Sequence, residues 1–216
     1  MSIEEIYVKN IYNRIAKQFD STRYRPWTCV EKFLGDLDNQ SLVGDIGCGN
    51  GKNMLFEKND LNFKGCDFSN QLVQLGCAKG LDIVYGNILD IPYPNNYFDN
   101  IICIAVLHHI SKEEDRIKAI NELIRVTKPG GRILILVWAM KQDPDSKIKF
   151  GKQDIYLDWK DKHKNILGQR YYHIFMENEL ESLIPDNVKL NKSFYEKGNF
   201  GIIIEKKEYE FSNIDT

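Results

Sequence analysis

A glycine-rich turn constrains this chain more than any other stretch. It reads Asp45-Ile46-Gly47-Cys48-Gly49-Asn50-Gly51-Lys52. Before it comes Ser41-Leu42-Val43-Gly44, a short apolar run expected as a buried strand. After it comes Met54-Leu55-Phe56-Glu57-Lys58, expected as the first turns of a helix. Strand, glycine turn and helix open a nucleotide-binding βαβ unit. Glycine has no Cβ, so the turn can take positive φ and press its backbone against a ligand. The free amides at the helix start then face that ligand. Dinucleotide-binding turns are spaced G-x-G-x-x-G. Here the third glycine is Gly51, and Lys52 stands where the dinucleotide pattern needs glycine.

At 216 residues the chain fits one domain with a sizeable core. Its net charge of −2 advertises no global field for nucleic acid, although a local basic patch can suffice. No apolar run is long enough to cross a bilayer, and the N-terminal stretch is too charged for a signal peptide. Cys29, Cys48, Cys66, Cys77 and Cys103 are scattered, with no C-x-x-C pair, as expected for reduced thiols in a cytoplasmic protein; nuclear occurrence stays open. His108-His109 is the one histidine pair, and no histidine spacing suits a metal.

Ile3, Tyr7, Ile11, Ile15 and Phe19 form one apolar stripe of a helix. Arg23 and Tyr24 follow, and Pro26 opens a second helix carrying Val30, Phe33 and Leu34 inward. The segment is either a cap on the sheet with solvated arginines or a lid that aims Arg23 and Tyr24 into the site. Leu61 to Asp67 is a second strand, and its terminal acid lies about 20 residues past Gly47, where this topology puts a carboxylate on a ribose diol. Ser69 caps a helix that Gly80 ends. Leu81–Tyr85 is a third strand at the sheet edge, and Phe98–Leu107 is almost wholly apolar, as a central parallel strand should be.

One of His108 and His109 is expected to pack and the other to be solvated. Ser111-Lys112-Glu113-Glu114 has the spacing of a capping box for a helix burying Ile117, Ile120 and Ile124. Ile133–Trp138 is a fifth strand, and Val188–Tyr195 and Phe200–Glu205 make an antiparallel pair. Between them, Met140 to Gly168 is a long connection in which Lys141, Lys147, Lys149, Lys152, Lys160, Lys162 and Lys164 outnumber the aspartates. A solvated loop is the simple reading of that charge, and RNA phosphate contacts are the sharper one. Arg170-Tyr171-Tyr172-His173 is expected to lead a helix through Leu180 and Leu183.

The G-x-G-x-G turn resembles the first motif of class I S-adenosylmethionine-dependent methyltransferases. Longer runs narrow the resemblance: Ile11 to Tyr24 with Pro26-Trp27, Ile104 to His109, Leu136 to Ala139, Gln153 to Trp159 and Arg170 to Phe175. Together they resemble the eukaryotic tRNA methyltransferases that esterify 5-carboxymethyluridine at the wobble position, a domain fused to a hydroxylase in animals. The likeness is continuous from about Ile11 to Ala139 and patchy beyond. Asp158 stands where a proline is expected, and Asn87 where an acid would bond the adenine amino group.

The resemblance implies an α/β, Rossmann-like three-layer sandwich with a seven-stranded, mostly parallel sheet and an antiparallel last strand. A single domain is expected: a helical cap over 1–40, a cofactor core over 41–139, the lysine-rich connection over 140–169, and a helix with the strand pair over 170–216. It implies S-adenosyl-L-methionine held by Asp45, Gly47, Cys48, Gly49, Gly51, Asp67, Phe68, Asn87, Ile88 and Ala105. Arg23 and Arg170 become candidates to hold the substrate carboxylate, with Tyr24, Trp138, Tyr172 and His173 shaping the nucleoside pocket. Implied partners are a tRNA anticodon stem-loop and a small zinc-binding activator subunit, docked on the edge near Ile83–Tyr85; no membrane is implied. Two other classes stay open: a methyltransferase acting on a small molecule, and a catalytically idle binding module, against which the intact Gly47, Gly49, Gly51 and Asp67 set argues.

Overall fold

The computed structural model describes residues 1–22, 25–56 and 60–208. Arg23 and Tyr24 therefore lie outside the described residues.

Among the described residues, nine strands form two sheets. In the main sheet, β1 (Leu42–Ile46), β2 (Asn62–Asp67), β3 (Ile83–Tyr85), β4 (Phe98–Ile104) and β5 (Thr127–Trp138) run parallel. The hairpin β8 (Val188–Glu196) and β9 (Asn199–Lys206) closes it, with β9 antiparallel to β5. The strand order is β3-β2-β1-β4-β5-β9-β8. The central strands are apolar at both parities, and successive side chains point to opposite faces, so both faces need cover. Ile101, Cys103, Ile133, Ile135 and Val137 pack with Ala119, Ile120 and Leu123 of α4 (Glu113–Val126). Ile102, Ile104, Leu134 and Leu136 pack with Val30, Phe33 and Leu34 of α2 (Thr28–Gly35). The result is the expected three-layer sandwich.

The N-terminal stripe forms a π-helical turn, Glu5–Lys9, running into α1 (Asn10–Asp20). A repeat of four overshoots the helical turn of about 3.6 residues. The wider π turn takes up part of that drift and keeps the stripe on one side. In α3 (Asn70–Ala78), Ser69 caps the helix by accepting from the Leu72 amide, and its hydroxyl donates to Asn13 of α1.

Several expectations need correction. The glycine turn is followed by a single 3-10 turn, Lys52–Leu55, in place of a longer helix start. Ser111 makes no capping box: Lys112 precedes α4 without a side-chain cap, and the Ser111 amide and hydroxyl both donate to Glu4. Ile117 is exposed, whereas Arg116 is buried. Residues 140–169 are not one loop: β6 (Asp154–Lys160) and β7 (Ile166–His173) form a separate hairpin. The boundary at 169/170 cuts through β7, so Arg170–His173 ends a strand, and the helix beyond is only α5 (Glu179–Ser182). Ile83 is buried against Gly76, so only Val84 and Tyr85 of β3 present side chains to solvent.

Candidate active site

Between β1's neighbours β2 and β4 the strand order reverses, and ligands of open α/β sheets bind at such a point, past the carboxyl ends of the strands. A cavity of about 1170 Å³ opens there. Single small-molecule sites span roughly 300–1,000 Å³, so this one lies just above that range.

Its floor is the glycine turn. Gly47 has φ 77°, and a Cβ there would stand 2.3 Å from Val106 Cγ2. Both the dihedral and the close approach exclude a side chain, which leaves bare backbone facing the cavity. The Asp67 carboxylate ties the turn to the end of β2: one oxygen accepts from the Gly49 amide at 2.8 Å, the other from the Ser69 amide at 2.8 Å. Burial raises the Asp67 pKa, and those two amides oppose the shift. Asp45 lies behind the wall, fully buried. Its Oδ2 accepts from Asn53 at 3.3 Å and its Oδ1 has no partner among the described residues. Burial pushes its carboxyl up to about 7, partly offset by Asn53 and Lys52.

Of the expected cofactor residues, Gly47, Cys48, Gly49, Asp67, Phe68, Asn87, Ile88 and Ala105 line the cavity, whereas Asp45 and Gly51 shape the turn from behind. Ala105 takes φ 63°, uncommon for a residue with a Cβ, and its amide donates to Leu136. The Asn87 side-chain oxygen already accepts from the Leu89 amide, closing its own loop. Sequence reasoning missed Lys9, which bridges Phe68 and Tyr85: its ammonium donates to the Tyr85 hydroxyl at 2.9 Å and lies 4.7 Å from the Phe68 ring centre.

The opposite wall is aromatic. Trp138, at the end of β5, stacks on Tyr172 at 4.4 Å and 3°, and Phe150 stands 5.8 Å beyond it. Both histidines of the pair are buried, which corrects the expectation that one is solvated. His109 Nδ1 donates to the Tyr171 carbonyl at 2.8 Å, so Nε2 accepts from the Tyr12 hydroxyl at 3.0 Å. His108 Nδ1 accepts from the Trp138 amide at 3.2 Å. Burial holds His108 well below the usual histidine range and lowers His109 to about 3, so both are neutral imidazoles.

Arg170 also faces the cavity and is 8% exposed. Its guanidinium centre lies 4.7 Å from the Trp159 ring, 5.2 Å from Tyr172 and 5.9 Å from Tyr12. Its hydrogen bond is a long one, 3.5 Å to the Tyr12 hydroxyl. Nε is buried without a partner, and among the described residues no carboxylate pairs with it. His173, by contrast, is absent from the cavity wall. Alternation along β7 sends Arg170 and Tyr172 one way and Tyr171 and His173 the other. The His173 ring nitrogens lie 3.0 Å from Asp154 and 2.5 Å from Glu179, which brace the hairpin against α5. None of the seven lysines between 141 and 164 lines the cavity.

The glycine cradle, the acid ending β2 and the cavity beside them are those of a class I methyltransferase. A methyltransferase-domain family model matches residues 44–135. The chain belongs to the tRNA (carboxymethyluridine(34)-5-O)-methyltransferase family. It is 36% identical over 225 residues to the Schizosaccharomyces pombe protein of that name, covering 94% of this chain and 97% of that one. It is 32% identical over 261 residues to the Xenopus tropicalis tRNA (carboxymethyluridine(34)-5-O)-methyltransferase alkbh8, covering 95% of this chain but 41% of that longer protein. Among solved structures, a Haloferax volcanii methyltransferase in complex with the Trm112 methyltransferase activator superposes with a TM-score of 0.69 at 14% identity, over 94% of this chain and 98% of that one.

Proposed function

We propose that this chain methylates the carboxylate of 5-carboxymethyluridine at the tRNA wobble position, making the methyl ester from S-adenosyl-L-methionine. The observation that carries the reading is Arg170: a buried cation with no carboxylate partner among the described residues, boxed by aromatic rings, on the wall of the cavity. A buried charge without its counter-ion is costly, and a substrate anion supplies what is missing.

The residues present fit the cofactor. The bare backbone at Gly47 admits close approach, and Asp67, tied to two amides, keeps lone pairs for hydroxyl donors. Phe68, Ile88 and Asn87 would border the adenine, and Gly47 to Gly49 with Ala105 the methionine part. The bound cofactor supplies a methyl group on a sulfonium sulfur, which a carboxylate oxygen can displace in line.

A substrate carboxylate is ionised at neutral pH and needs no base. Both histidines are held neutral and spend Nδ1 on backbone partners, so the site's work is placement and not proton removal. Arg170 orients the carboxylate, and the Trp138 ring offers its face to a base drawn out of the anticodon stack. The likeness to a methyltransferase solved with an activator subunit supports a second, smaller protein docking on the β3 edge, where Val84 and Tyr85 are exposed. Free thiols at all five cysteines support a reducing, cytoplasmic setting.

The chemistry of the product tests this. Methyl groups placed on tRNA should be released by mild base, because an ester hydrolyses where N- and C-methyl groups persist. A base-stable product would refute the carboxylate as acceptor.

A further inference from the structure

Among the charged residues lining the cavity, Glu4, Glu5 and Lys9 come from the N-terminal helix and Asp115 from the start of α4. Arg25 and Lys197 line the same cavity as Trp138 and Phe150. Neither the Arg25 guanidinium nor the Lys197 ammonium bonds any described residue. Two elements bring them together: the segment leading into α2 and the β8–β9 turn, which Glu196 joins by accepting from the Cys29 amide.

The Lys197 turn is built, not slack. Lys197 has φ 45°, an unfavourable backbone for a residue with a Cβ. The buried Asn199 side chain holds it there, donating to the Glu196 and Lys197 carbonyls. Gln142 donates to the Gly198 carbonyl and clamps the turn onto the end of β5. Asn199 pairs in register with Trp138, so the strained lysine sits beside the stacking ring. Strain of this kind persists where surrounding contacts over-determine it, and it concentrates at functional sites.

We propose that Lys197 and Arg25 bind the RNA phosphates flanking the methylated nucleotide, whose strand enters past Trp138 and Phe150. This rests on the tRNA reading above. Aromatic faces paired with unneutralised cations are the recurring means of holding a single strand. The segment 141–164 reaches the cavity wall through Gln142, Ser146, Ile148 and Phe150, but none of its lysines lines it, so those lysines are not the contact nearest the chemistry.

The test uses the full chain with an anticodon stem-loop bearing carboxymethyluridine, and measures affinity across a salt series. Lys197→Gly suits it because glycine accepts the left-handed backbone, so the melting temperature should not fall. Lys197→Gly and Arg25→Ala should each weaken RNA binding and flatten the log–log salt slope by roughly 0.7. Cofactor affinity should not change. A wild-type slope in either variant would overturn the inference. If the wild-type chain itself fails to bind the stem-loop, the tRNA reading falls, and the inference with it.

Discussion

The Trp138 indole lies parallel to the Tyr172 phenol, 3° apart in plane and 4.4 Å apart in centre. Tyr172 is 1% exposed and serves as a fixed backing, while Trp138 is half-buried and lines the cavity. Backed in this way, the indole cannot turn away from a base that stacks on it. Base–aromatic stacking is worth about 1–3 kcal/mol, so Trp138→Ala should lower kcat/KM on the RNA by about 5- to 150-fold. Trp138→Phe should retain most of the activity, and cofactor affinity should change little in either. Steady-state methyl transfer with calorimetry on the same variants checks this.

Arg170 sets stability against activity. Its burial with no carboxylate partner among the described residues is a cost to the fold, so Arg170→Met should leave the unfolding midpoint unchanged or higher. The same change removes a charge-assisted bond of about 1.5–3 kcal/mol to the substrate, a loss of roughly 10- to 150-fold in kcat/KM. Arg170→Lys should rescue in part, since a point charge cannot reproduce the planar fork. Paired thermal melts and kinetics decide it; full activity in Arg170→Met would remove Arg170 from the chemistry.

At the sheet edge, Val84 and not Ile83 is the residue to change. Ile83 points inward against Gly76, so a lysine there reports on folding. Val84 is 38% exposed, and Val84→Lys puts a charge on the open edge of β3. Co-purification with a zinc-binding activator subunit should be lost in Val84→Lys while the melting temperature holds. An intact complex would place the docking surface elsewhere.

His109 should make the fold acid-sensitive. Its imidazole is lowered from 6.5 to about 3 by burial, so the folded state keeps it neutral while the unfolded chain takes up a proton below pH 6.5. Stability from this group is complete above pH 6.5 and is lost as pH falls toward 3. The stability gap between wild type and His109→Asn, from urea titrations at several pH values, should narrow across that window. A gap constant with pH would contradict the assignment.

The cofactor half of the site was legible because local rules govern it. A glycine turn needing positive φ, an acid closing β2 and strands apolar at both parities follow from neighbours in the chain. The substrate half depends on distant partners. The hairpin of β6 and β7 carries polar and aromatic residues on both faces because it packs against the N-terminal helix, with Trp159 donating to Gln18 and Tyr156 against Tyr7. By residue type Arg170 belongs on a surface, and the rings of Tyr12, Trp159 and Tyr172, distant in sequence, help to bury it. Tyr12 was legible merely as one residue of a polar, aromatic helix; nothing local shows that its hydroxyl meets His109. Ser111 had the spacing of a helix cap, yet Glu4 reaches it first from 107 residues away.

The central claim is that the methyl acceptor is a wobble-uridine carboxylate. It is tested most directly by a methyl-transfer assay on two anticodon stem-loops that differ only at that position, one with carboxymethyluridine and one with uridine, with the activator subunit present. The account predicts transfer to the carboxymethyl RNA and none to the uridine RNA. Equal transfer to both, or transfer to a free small acid with neither RNA modified, would contradict it.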